Sequence, residues 1–181
     1  MTKVEQVQVL LNNASSSVDF AKLPDVTGVL VRNVSNTVGV PNNTPTAGTD
    51  VFTLNNLTAV QAAAITIKHG DTNSNAIGQA TISANLATDS GASDTVAVTI
   101  SDGLNTDPRF NFGLNTNAVE NVTIVDGDTE SNTVSLQSVA SHTGTITIGT
   151  TAGVGVAGTF INFDTNTTTT AGTVGIGGIS Q

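Results

Sequence analysis

The stretch Val119-Glu120-Asn121-Val122-Thr123-Ile124 repeats, type for type, the far upstream phrase Val4-Glu5-Gln6-Val7-Gln8-Val9. Both read apolar-Glu-polar-apolar-polar-apolar. That alternation puts apolar side chains on one face of a strand and polar ones on the other. A strand phrase that recurs at a distance predicts layers stacked along an axis, here in a chain rich in Thr, Asn, Gly, Ala and Val.

Working outward from that phrase, short alternating runs fill the chain. Val7, Val9 and Leu11 share a face, as do Val29 and Val31, Phe52 and Leu54, and Ile65 and Ile67. Val96, Val98 and Ile100 alternate with Thr95, Ala97 and Thr99. Phe110, Phe112 and Leu114 follow, then Val122 and Ile124, Val134 and Leu136, Ile146 and Ile148, and Ile161 and Phe163. Gly, Asn, Asp or Ser closes each run, as turns require. A second phrase, Leu-x-x-Val, precedes three of them: Leu23 to Val26, Leu57 to Val60 and Leu136 to Val139. Helix signals are confined to a turn or two within Leu57 to Ala64 and one turn around Ser15 to Leu23.

These patterns predict an all-β chain, an irregular parallel β-solenoid (β-helix), occupying residues 1–181 as one domain. Residues 38–50, with Pro41, Pro45 and Gly48, and the Thr-rich residues 164–171 are expected surface loops. Strand spacing also suits an antiparallel β-sandwich, which is the alternative. No apolar h-region follows Met1, so an exported form would carry its signal elsewhere on a longer parent, of which this is expected to be a segment. No apolar run approaches the roughly 20 residues that span a bilayer.

Composition narrows the partners. Charged residues are 10% of the chain, against about 25% in a typical soluble domain. Five Lys and Arg face fourteen Asp and Glu, for a net charge of -9. Lys3, Lys22, Arg32, Lys68 and Arg109 are scattered, with no Trp or Tyr platform beside them. Neither nucleic acid nor an anionic lipid surface is an expected partner. Divalent cations are compatible with this balance.

The phrase at Val119 to Ile124, followed by Asp126-Gly127-Asp128 in a Thr/Asn/Ala/Gly background, resembles crystalline surface-layer proteins of Gram-negative bacteria. The resemblance is to the alphaproteobacterial type and the related repeat-containing surface proteins. It covers most of the chain in texture and residues 4–9 and 119–124 in definite phrase. It implies an extracellular, non-enzymatic module on the cell surface that packs with copies of itself into a lattice, with calcium as cofactor. It also implies secretion by a one-step exporter. Cell-surface polysaccharide is a further expected partner. The glycine-rich nonapeptide of calcium rolls is absent, so calcium would sit in irregular turns.

Two turns offer oxygen ligands for such an ion. Asp126, Asp128 and Glu130 alternate across Gly127, and Asp102 and Asp107 bracket Gly103 to Thr106. Asp89 and Asp94 flank a third, poorer turn. His69 and His142 have no Cys or second His near them and read as turn residues. A glycan lyase or hydrolase would need carboxylates converging with Arg109, beside Asp107, and a sugar platform that the composition lacks. No Gly-x-Ser-x-Gly elbow occurs. Thr143-Gly144-Thr145-Ile146-Thr147 carries the Thr spacing of ice-binding solenoids without recurring on further strands. The rival function is a phage tail-fibre segment or adhesin recognising a cell-surface ligand.

Overall fold

The computed structural model describes residues 5–11, 15–33, 51–69, 81–91, 93–101, 111–116, 119–127, 133–137, 145–150, 160–163 and 174–176. Strands are numbered along the chain and alternate between two sheets. The seven-stranded sheet contains β1 (Gln6–Leu11), β3 (Gly28–Asn33), β5 (Ile65–His69), β7 (Thr95–Ser101), β9 (Asn121–Asp126), β11 (Ile146–Thr150) and β13 (Val174–Ile176), in that order. The six-stranded sheet runs from β2 (Ser16–Asp19) through β4 (Val51–Leu57), β6 (Thr81–Leu86), β8 (Asn111–Asn115) and β10 (Thr133–Gln137) to β12 (Phe160–Phe163).

All pairings among these strands are parallel. The antiparallel sandwich is therefore not the arrangement of the described residues. A sandwich of that kind needs neighbouring strands to run in opposite directions, and here each strand pairs with the one two places along the chain.

Parallel in-register pairing stacks like on like, so each apolar face becomes a row running across its sheet. Val7, Val29, Ile65, Val98 and Ile124 form one such row. Phe52, Ile82 and Leu114 form another in the facing sheet, begun by Ser16. Val29, Val31, Leu54, Ile67, Ala84, Val96, Val122 and Ile124 are completely buried, and residues of both sheets belong to one apolar cluster. Each Val, Leu or Ile among them contributes about 1.5–3 kcal/mol by leaving water. Thr95, Ala97 and Thr99 of β7 keep to the opposite face, as alternation requires.

The recurring phrase is a repeat of local structure and not of ladder position. Following the register from Val7 leads to Ile124, whereas the phrase would match Val7 to Val122. The two-residue step falls between β5 and β7, where Ile65 pairs with Val98 and leaves Val96 in front of it. A short helix, α1 (Ala59–Ala62), lies just ahead of β5 and packs against β3, β4, β6 and β7.

The Leu-x-x-Val phrase likewise divides. Val26 is buried, but Val60 is 60% exposed because α1 turns Gln61 and Ala62 inward in its place. The turn expected around Ser15 to Leu23 is strand β2 followed by a single 3-10 turn, Phe20–Lys22. Residues 38–50 and 164–171, the expected loops, lie outside the described residues. No helix among the described residues is long and apolar enough to cross a membrane.

Candidate functional site

The polar side chains that the fold gathers lie at the bends between sheets. Asp94, just before β7, is the centre of the largest group. Its carboxylate accepts from the Gly91 N–H at 3.2 Å, and its own N–H donates to Glu120 Oε2 at 2.9 Å. Its carbonyl accepts from the Asn121 N–H at 2.9 Å and from Asn121 Nδ2 at 3.3 Å. Asn121 Oδ1 in turn accepts from the Thr145 N–H at 2.8 Å, while the Thr145 carbonyl receives the Val122 N–H. One amide side chain thus links three successive passes of the chain. An Asn suits this place because it offers a donor and an acceptor at once.

The first copy of the phrase braces its layer differently. There the Glu5 carbonyl accepts from the N–H groups of Thr27 and Gly28 and from Thr27 Oγ1. Glu120 thus works through its carboxylate and Glu5 through its backbone.

A second polar group surrounds Asp19. Its Oδ1 accepts from Asn56 Nδ2 at 2.8 Å and from the Ala21 N–H at 3.1 Å, and Lys22 Nζ stands 3.9 Å from Oδ2. The Asn56 amide, then the Ala21 N–H, and last the Lys22 ammonium hold the Asp19 carboxyl below its ordinary range. The lysine is exposed, so the ion pair itself adds little stability. Asn56 adopts a left-handed backbone (φ 57), where β4 and β6 shift register between Leu54 and Leu57. Asn tolerates that conformation better than most residues. In the adjoining layer Asn85 Nδ2 donates to Asn55 Oδ1 at 3.0 Å.

The third group is buried. Gln61 is fully enclosed, and its Nε2 donates to the carbonyls of Val26 at 2.8 Å and Leu23 at 3.1 Å. Its Oε1 accepts from the Thr58 N–H, and Thr58 Oγ1 accepts from the Gln61 N–H, a complete capping box for α1. Sequence reading missed this residue, although Thr58-Ala59-Val60-Gln61 carries the S/T-x-x-Q spacing that signals such a cap.

Of the expected calcium ligands, Asp126 ends β9, paired in the ladder with Ile100 and Thr150. The next residue continues that ladder, with the Gly127 N–H donating to the Ile100 carbonyl at 2.9 Å. Asp128, Glu130, Asp102 and Asp107 lie outside the described residues, as do Arg109 and His142. Among the described residues no three His, Cys, Asp or Glu side chains gather into a metal-holding group. His69 ends β5 opposite Asn33. The Thr row through Thr123 and Thr147 stops at Ala97 on one side and Gly175 on the other. The Asn121 side chain, in an Asn-x-Thr triplet, is already committed to Thr145 and Asp94.

Glu120, Asn121, Asn56, Asn85 and Gln61 hold one pass of chain to another, while the Asp94 carboxylate, Lys22 and Thr58 brace their own turns. The chemistry they support is cohesion. No family model, no curated protein and no solved structure matches the chain.

Proposed function

We propose that the chain is an irregular parallel β-solenoid that serves as a structural module of the bacterial cell exterior, assembling with its own kind into a surface layer. The alternation of successive strands between two parallel ladders around one dry cluster is the observation that carries this reading. A column built this way keeps its shape by backbone pairing and stacked apolar rows of Val, Ile, Leu and Phe, and needs no Cys. A low share of charged residues and the amide-braced bends fit the same use. Calcium, held at the turns near Asp126 and Asp102, is the ion this reading calls for.

Electron microscopy of the purified protein with calcium, and again with a chelator, tests it. Ordered two-dimensional sheets that dissolve on chelation are the expected outcome. Dispersed particles in both conditions would overturn the surface-layer reading, and a detergent-resistant trimer would favour a tail fibre or adhesin.

A further inference from the structure

Two of the chain's five cationic residues, far apart in sequence, meet in the fold. Arg32 and Lys68 occupy directly paired positions on β3 and β5. Their row of the ladder runs Leu10, Arg32, Lys68, Ser101. Val31 and Ile67, the residues just before them, belong to the core, so alternation sets this row on the outer face. Adjacent strands lie about 4.8 Å apart, and like charges directly opposed across that spacing destabilise a sheet. The surrounding strands supply no acid to offset them. β1, β3, β5 and β7 contain neither Asp nor Glu, and Asp126, at the end of β9, is two strands over from Lys68. Lys68 is half-buried, and among the described residues its ammonium has neither an ion pair nor a hydrogen bond. The chain has fourteen carboxylates for five cations. Two cations laddered together without an acid on the flanking strands are therefore the unusual arrangement.

We propose that the paired Arg32 and Lys68 positions, on the outer face of the seven-stranded sheet, bind one compact oxyanion, a phosphate or carboxylate group. An arginine offers a fork of N–H donors that matches two oxygens of such a group, and a lysine adds a point charge. An anion lodged between them cancels the opposition that the register imposes. Net charge limits the ligand's size. A chain at -9 repels a long polyanion, so the ligand carries a single charged group and is not a nucleic acid or a polyuronate. Thr66 and Thr99, paired in the next outer row, present hydroxyls to the remainder of a small polar ligand such as a sugar. This inference goes beyond the surface-layer reading and does not depend on it.

NMR titration of the intact chain with sodium phosphate, against sodium chloride at matched ionic strength, tests it. A chelating buffer keeps calcium-dependent sheets from forming, so this outcome is separate from that of the microscopy. Amide shifts at Lys68 and its ladder neighbours should saturate with phosphate and not with chloride. Glucuronate in a parallel titration tells a carboxylate from a phosphate, and glucose is the neutral control. Lys68→Gln and Arg32→Gln should each weaken binding about tenfold. Lys22→Gln, which removes an exposed cation already beside Asp19, should leave it unchanged. Phosphate should also raise the urea midpoint of the parent and not that of Lys68→Gln. Without phosphate, Lys68→Gln should be at least as stable as the parent, because the like-charge opposition is gone. Saturation by neither phosphate nor glucuronate, equal shifts with chloride or glucose, or binding that survives both substitutions would overturn the proposal. A Lys68→Gln variant less stable than the parent without phosphate would do the same, since the lysine would then be structural.

Discussion

Replacing Gln61 with Leu keeps side-chain bulk and removes every polar atom that ties α1 to the chain ahead of β3. The Val26 carbonyl suffers most, since Gln61 Nε2 reaches it at 2.8 Å in a buried setting. An orphaned buried acceptor costs about 1–3 kcal/mol. The Leu23 carbonyl still receives the Val26 N–H, and Thr58 is exposed to water. Those two lost bonds therefore cost only about 0.5–1.5 kcal/mol each. Burying the apolar Leu recovers about 1 kcal/mol. The net loss is about 3 kcal/mol, which lowers Tm by about 6–12 °C for a chain of this size. Urea unfolding followed by circular dichroism measures it. A Gln61→Leu midpoint within about 0.5 kcal/mol of the parent would refute the view that this amide ties the layers together. Gln61→Glu adds a sign. A carboxylate facing two carbonyls is pushed above its usual value of about 4.3, because only the protonated form can donate to them. A raised folded value means that the variant's deficit is smallest at low pH and grows as pH climbs through it. A deficit that shrinks toward neutral pH would contradict the assignment.

Two further predictions concern the bends. Asn121→Ala removes the acceptor of the Thr145 N–H and the side-chain donor to Asp94, at a cost of about 1–2 kcal/mol. Hydrogen exchange at the Thr145 amide should accelerate, and unaltered protection would speak against the three-pass link. Asn56→Gly keeps the left-handed backbone but deletes the amide that most lowers the Asp19 carboxyl, so that group should titrate closer to 3.8. Because its folded value is depressed, Asp19 stabilises the parent above about pH 4 and loses that contribution as pH falls through the lowered value. Carboxyl NMR titration reads both effects. An Asp19 curve identical in parent and variant would exclude Asn56 as the cause.

Much of the strand pattern was legible because alternation is local. Val96, Val98 and Ile100 announce β7, and Val122 and Ile124 announce β9, from nothing beyond which residues can share a dry face. β2 and β6 were not legible. Ser16-Ser17-Val18-Asp19 puts a Ser in a core row, and Thr81-Ile82-Ser83-Ala84 is buried throughout, with Ala84 too small to mark a core position. Both are strands because apolar neighbours stack on them. The layer spacing was hidden for a related reason. Hydrogen bonds between adjacent passes span 22 residues at Glu5–Thr27, 36 at Ser15–Val51, 26 at Asp94–Glu120 and 24 at Asn121–Thr145. A strict period would need bends of equal length, which the chain does not have.

The sequence by itself determined the β character, the alternating Val, Ile, Leu and Phe that supply the core, and the net charge of -9, since each depends on residue type and nearest neighbours alone. Tertiary structure decided which strands meet, the two-residue step at α1, the inward turn of Gln61, and the joining of Asp94, Asn121 and Thr145. Those depend on pairing between distant segments, where the free energy of closing each bend is set against contacts that exist only once the layers are stacked.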